Sequence, residues 1–215
     1  MQGVGKRFNE YNNNQGRETK RQHVQEKYPN KIILPVFESS GLLELESHGK
    51  EGIQLKHVEP RDAIAPIDFY EKYSIPVRKR TRFLAMLYKD DKNDALGQYE
   101  LLERSSYLIG RSKDETPGGD SPKSDPEDSS EEKQVVLADI PVPEETCSKQ
   151  HCVIQFRNVA DKLIPYVIDL DSANGTVLND VALPHARYVE LKSGDILRFS
   201  EHEEDSMFSI VFVAA

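Results

Sequence analysis

No apolar run in this 215-residue chain reaches 18 residues, and its first thirty positions hold no apolar stretch behind a basic flank. A bilayer-spanning helix needs about 20 consecutive apolar residues, so a membrane helix is excluded and export is not expected. Cysteine is scarce, with Cys147 and Cys152 the only two. Two thiols do not make the disulfide framework of a small exported domain. The expectation is a reducing compartment, cytoplasm or nucleus, and no disulfide. In that compartment the sequon at Asn174, Gly175 and Thr176 carries no glycan. Basic charge is also in deficit. Lys and Arg number 28 against 37 Asp and Glu, a net charge of −9, which excludes a molecule that binds polyanions over its whole surface.

The charge is unevenly spread. Residues 1–31 hold seven Lys or Arg against three Glu and hardly an apolar side chain, so a disordered basic tail is expected. Its few aromatics, Phe8, Tyr11 and Tyr28, are scattered and make no stacking platform for RNA. Residues 32–60 are apolar but aperiodic, with Phe37, Leu42 and Leu43 among Pro35, Gly41, Gly49 and Gly52. Such a stretch reads as a linear motif that orders on a partner, the alternative being that it packs on its own domain. Residues 61–76 read as a linker with a short helix from Pro66, ended by Pro76.

From residue 82 no segment keeps a 3.6-residue period. Short apolar or alternating runs such as "RFLAMLYK", "SYLIG", "HCVIQF", "PYVIDL" and "MFSIVFV" alternate with Gly, Pro, Asn, Asp and Ser. From there on, that spacing predicts an all-β sandwich with short hairpins. "VLNDVAL" predicts a tight hairpin on Asn179 and Asp180, residues that tolerate positive φ. Residues 112–134 interrupt the strands with three Lys against eight Asp or Glu, rich in Pro, Gly and Ser, and read as a disordered acidic insert. Thr116 and Ser121 precede prolines, and Ser124 and Ser129 have Glu three residues on, as kinase sites do; the alternative is a merely solvated insert.

The polar residues at strand ends need a separate account. Ser148 and His151 stand three apart just before a strand, either as a hydrolase pair or as an anion-holding loop with the His pinning it. No G-x-S-x-G elbow surrounds Ser148, which weighs against an enzyme. Cys147, His151 and Cys152 lack a fourth ligand and the usual spacing for a metal, and no cofactor is called for. Gly110-Arg111 ends one strand run, Ser148-x-x-His151 begins another, Asn174-Gly175-Thr176 lies in a turn, and Asn179 follows.

In order and context this set resembles the forkhead-associated (FHA) domain, and the likeness covers about residues 77–215. The resemblance implies a two-sheet sandwich whose end loops bind phosphothreonine peptides. It implies Arg111, Ser148, Lys149 and Asn174 as ligand-binding residues, supported by Gly110, His151, Gly175, Thr176 and Asn179. The chemistry suits them: a phosphate carries about −1.5 to −2 charges and three acceptor oxygens, and a guanidinium fork matches it. The chain departs from the family at Asp180, where a Gly is usual, and at Ala173, where a hydroxyl residue often stands. Thr146 takes a position where some members place a basic residue.

"ADIPVPEETCSKQHCVIQF", "PYVIDLDSANGTVLN" and "YVELKSGDILRF" resemble the Smad nuclear-interacting branch of FHA proteins, and the early apolar motif resembles its fungal pre-mRNA leakage group. That likeness implies a nuclear subunit of the retention-and-splicing (RES) complex, associated with the spliceosome. Residues 32–60 would dock on an RRM-type subunit that also holds a lysine-rich third subunit. The alternative within the same fold is an FHA protein of checkpoint or transcription signalling.

Overall fold

The computed structural model describes residues 31–35, 49–50, 53–90, 94–112, 137–202 and 206–215. All of the basic tail but Lys31, the expected anchors Phe37, Leu42 and Leu43, and nearly all of the acidic insert lie outside the described residues.

Strands form where the sequence alternates or turns continuously apolar. The first sheet, in spatial order, is β1 (Ile33–Pro35), β12 (Arg187–Glu190), β9 (Lys162–Asp169), β8 (Cys152–Val159), β6 (Ser106–Arg111) and β7 (Ile140–Val142). The second is β11 (Val181–Ala182), β10 (Val177–Leu178), β13 (Ile196–Arg198), β14 (Phe208–Ala214), β4 (Phe83–Lys89) and β5 (Gly97–Glu100). A small ribbon pairs β2 (Gly49–Lys50) with β3 (Ile53–Gln54). β6 and β7 pair in parallel, which requires a long connection such as the one that separates Arg111 from Ile140. Every other pairing is antiparallel.

The two sheets bury different patterns. β4 and β14 alternate, turning Phe83, Ala85 and Leu87 and Phe208, Ile210 and Phe212 inward. Phe83 bridges the layers, its ring centroid 5.0 Å from Phe156 and 6.0 Å from Phe212. β8 is buried without interruption from Cys152 to Phe156, because the outer face of its sheet is covered as well. On that face Leu108, Leu137, Val153, Tyr166, Ile168, Leu170 and Tyr188 form a second cluster, and Leu34 and Leu55 pack against it.

Here the structure differs from the expected domain boundary at 77. Described residues from Ile32 onward already pack with the sandwich. β1 pairs with β12, and residues 53–65 cross the outer face of the first sheet. Asp62 clamps Arg157 through both carboxylate oxygens at 2.9 and 3.0 Å, and the guanidinium stacks over Tyr188. The described ends of 32–60 thus pack on the chain's own sandwich. Helix α1 (Pro66–Lys72) begins on Pro66, whose fixed φ suits a first turn, and buries Phe69 and Tyr70 rather than spanning a free linker. It ends at Tyr73, with Ser74 at φ 51° reversing the chain before Pro76 is reached. Apolar side chains drew these segments onto the sheet; their lack of period hid this, because each contributes only one or two anchors.

Candidate functional site

Arg111 is the last residue of β6, Gly110 stands just before it, and the loop 143–151 lies directly over Gly110. Arg111 N–H donates to Ser148 O at 2.9 Å, and His151 N–H donates to Ile109 O at 3.0 Å. An ideal Cβ on Gly110 would stand 2.1 Å from Lys149 O, so only glycine lets the loop approach this closely. Arg111 is exposed, its Nη1 donating to Glu145 O at 3.3 Å.

His151 is fully buried behind the loop. Ser148 N–H donates to its Nδ1 at 3.0 Å. An Nδ1 that accepts leaves the proton on Nε2, which donates to Gly175 O at 3.2 Å. One imidazole therefore ties the loop of Ser148 to the loop of Asn174. Both ring nitrogens are taken by backbone, and the Ser148 hydroxyl instead accepts from Ala173 N–H at 3.1 Å. No Ser–His dyad exists in this geometry. The hydroxyl proton of Ser148 remains available to a ligand.

A third loop completes the group. Exposed Asn174 donates from Nδ2 to Thr146 O at 2.7 Å, and keeps a second Nδ2 proton and an acceptor oxygen. Gly175 has φ 76°, left-handed backbone that favours glycine. Thr176 is buried and donates to Asp169 Oδ1 at 2.6 Å. Lys149 is exposed beside Ser148. Arg111, Ser148, Lys149 and Asn174 are thus carried by β6 and two loops that hydrogen bonds lock together. Asn179 stands apart: it bonds Asp195 at 2.7 Å and Ile196 N–H at 2.9 Å, bracing the hairpin rather than these loops. That hairpin has the expected two-residue turn, with Asn179 and Asp180 at φ 50° and 65°. Asp takes this conformation well enough to stand where the family usually has Gly.

The sequence reading missed two anchors. Buried Asp169 accepts from Ser172 Oγ, Ser172 N–H and Thr176 Oγ1 at 2.6, 3.1 and 2.6 Å. Burial pushes this carboxyl up, but the hydrogen bonds from Ser172 and Thr176 outweigh it and leave the group below its ordinary range. The Asp-x-x-Ser spacing was a legible turn signal. Buried Glu144 reaches across to Met207 N–H at 2.5 Å and Ser206 Oγ at 3.3 Å, fastening the Ser148 loop to the second sheet. Nothing in "PVPEET" announces that. Cys147 and Cys152 are free and buried, and burial pushes both thiols up. Among the described residues no three His, Cys, Asp or Glu side chains are placed to hold a metal.

The histidine makes a pH prediction. Burial pushes His151 below its ordinary 6.5, against the pull of Asp169. The fold holds the neutral ring, whereas the unfolded chain takes up a proton near pH 6.5. Stability is therefore full above that pH and falls as pH drops below it. Denaturant midpoints at pH 7, 6 and 5 should decline for the native chain. They should start lower but decline less for His151→Asn. Parallel declines in the two proteins would count against this role.

Comparison with known proteins agrees with the geometry. The FHA domain family model matches residues 107–200. Pre-mRNA leakage protein 1 of Saccharomyces cerevisiae is 51% identical over 183 residues, covering 84% of this chain and 86% of that protein. Mouse Smad nuclear-interacting protein 1 is 32% identical over 174 residues, 77% of this chain, but the match spans only 36% of that longer protein. The crystal structure of full-length yeast Pml1p superposes with TM-score 0.64 at 44% identity, covering 74% of this chain and 99% of that one. A second structure, of the yeast Pml1 splicing factor and its integration into the RES complex, gives TM-score 0.63. With half of the aligned residues shared over 86% of the yeast protein, and the same sandwich beneath them, the chain belongs to the pre-mRNA leakage protein family of FHA-domain proteins.

Proposed function

We propose that this protein is a non-catalytic adaptor of a nuclear splicing complex that reads phosphothreonine in a protein ligand. One observation carries the reading: an exposed guanidinium, a hydroxyl with a free proton and an exposed carboxamide lie on a strand end and two loops tied by His151. Arg111 supplies the charge-assisted contacts to phosphate, Ser148 a hydroxyl donor and Lys149 long-range charge. Asn174 has the donor and acceptor to hold the extended main chain beside the phosphate. The family relation extends this to the RES complex, where the protein would promote splicing and retention of unspliced pre-mRNA in the nucleus. Its stable partner is then an RRM-type subunit, which also holds a lysine-rich subunit.

Affinity purification of wild type beside Arg111→Ala, read by mass spectrometry, tests both halves. The stable splicing subunits should persist in both samples, and a phosphate-dependent subset should vanish from the variant. Identical sets would remove the phosphate reading, and checkpoint kinases in place of splicing factors would remove the complex.

The docking half has its own test. Residues 36–48, with Phe37, Leu42 and Leu43, are proposed as the part of 32–60 that binds the partner, because both flanks are committed to the sandwich. The triple variant Phe37→Ala, Leu42→Ala, Leu43→Ala, which leaves β1 and its pairing with β12 in place, should lose the RRM-type subunit yet keep its phosphothreonine affinity. Retention of the subunit by that variant would refute the assignment.

A further inference from the structure

The extended segment 53–59 grips both loops of the candidate site from behind. Gln150, buried between Ser148 and His151, receives Lys56 N–H on its Oε1 at 2.8 Å and donates from Nε2 to Gln54 O at 3.0 Å. One side-chain amide thus reads the backbone of residues 54 and 56 as a neighbouring strand would. Lys56 then turns its ammonium the other way, to Leu170 O at 3.2 Å and Asp171 O at 3.5 Å. Those carbonyls open the loop that carries Asn174, and Leu170 N–H is itself bonded to His151 O at 2.9 Å. Leu55 anchors the segment in the outer apolar cluster, and His57 bonds Gln155 at 2.8 Å. None of these residues belongs to the polar group that would face a ligand.

We propose that segment 53–59 is a strap that sets the spacing of the two phosphate-site loops, with Gln150 and Lys56 as positioning residues. The proposal rests on the phosphothreonine reading of that site. A binding site loses strength when its groups drift by fractions of an ångström, so a fastening that spans both loops controls affinity without touching the ligand. Linkage makes the effect reciprocal: if the strap tightens the site, an occupied site must tighten the strap.

The probe is a degenerate phosphothreonine peptide pool, titrated against the full chain, with the unphosphorylated pool as reference. Gln150→Met keeps the volume and removes both amide functions, and Lys56→Met keeps the stem and removes the charge. Each should weaken binding of the phosphorylated pool about three- to tenfold, on the scale of a lost hydrogen bond. Lys56→Arg should hold near the native affinity. Hydrogen exchange gives a readout that a merely structural strap would not move: the phosphorylated pool should slow exchange of the Lys56 amide in the native chain. Native affinity in both Met variants, with exchange at 54–56 accelerated, overturns the strap and leaves the phosphate site standing. A native chain that does not distinguish the two pools overturns both.

Discussion

Gly110→Ala should cost about 3 kcal/mol of stability and abolish binding at the candidate site. The single added carbon would stand 2.1 Å from Lys149 O and 2.8 Å from Lys149 C, atoms of backbone rather than of a side chain that can swing aside. Relief requires the loop 143–151 to lift off β6. The loop is held there on both sides of Gly110, through Arg111 N–H to Ser148 O and His151 N–H to Ile109 O. Overpacking of this kind costs about 1–3 kcal/mol, and each hydrogen bond that breaks adds about 0.5–1.5. At 2–4 °C per kcal/mol for a chain of this size, the melting temperature should fall by about 6–12 °C. The loop that lifts is the one presenting Ser148, and Nδ1 of His151 would lose its donor with it. Phosphothreonine affinity should therefore fall even at temperatures where the sandwich persists. A calorimetric scan and a peptide titration at low temperature decide the matter. A melting point within about 2 °C of native would show that the loop accommodates the carbon.

Arg111→Ala should show the opposite balance, a large loss of binding on an intact fold. The guanidinium is exposed, and its hydrogen bond to Glu145 O is long at 3.3 Å, so the fold owes it little. A charge-assisted bond to phosphate contributes about 1.5–3 kcal/mol, so affinity should fall about tenfold to a hundredfold. The melting temperature should move by no more than a degree or two, because surface substitutions stay within about 0.5 kcal/mol. Native binding should itself weaken below about pH 6, where the phosphate takes up its second proton and its charge halves. The variant should show a shallower pH response, having lost the group most sensitive to that charge. Calorimetric titration at pH 7.5 and 5.5 measures both effects. Equal affinities for the two folded proteins would leave the domain a scaffold, whatever its pocket resembles.

The β-sandwich, its turns and the polar residues at its strand ends were all legible before any tertiary contact was known. These are local signals: alternation in "FLAMLYK", a left-handed pair in Asn179 and Asp180, and Gly-Arg, Ser-x-x-His and Asn-Gly-Thr at strand ends. Each is written within a few residues, because strand faces repeat every second residue and turns need particular φ values. How those residues are held depends on contacts that form only in the folded chain. Glu144 finds Met207 across the sandwich, Gln150 finds the backbone of 54 and 56, and Asp62 finds Arg157. These partners lie about 60 to 100 residues apart in the chain, and no spacing rule links them. The same distance hid the strap. Segment 53–65 has few apolar anchors and no period, so it read as linker or free motif. Its place is set by an apolar outer face on the first sheet that exists only once β6, β8, β9 and β12 have come together.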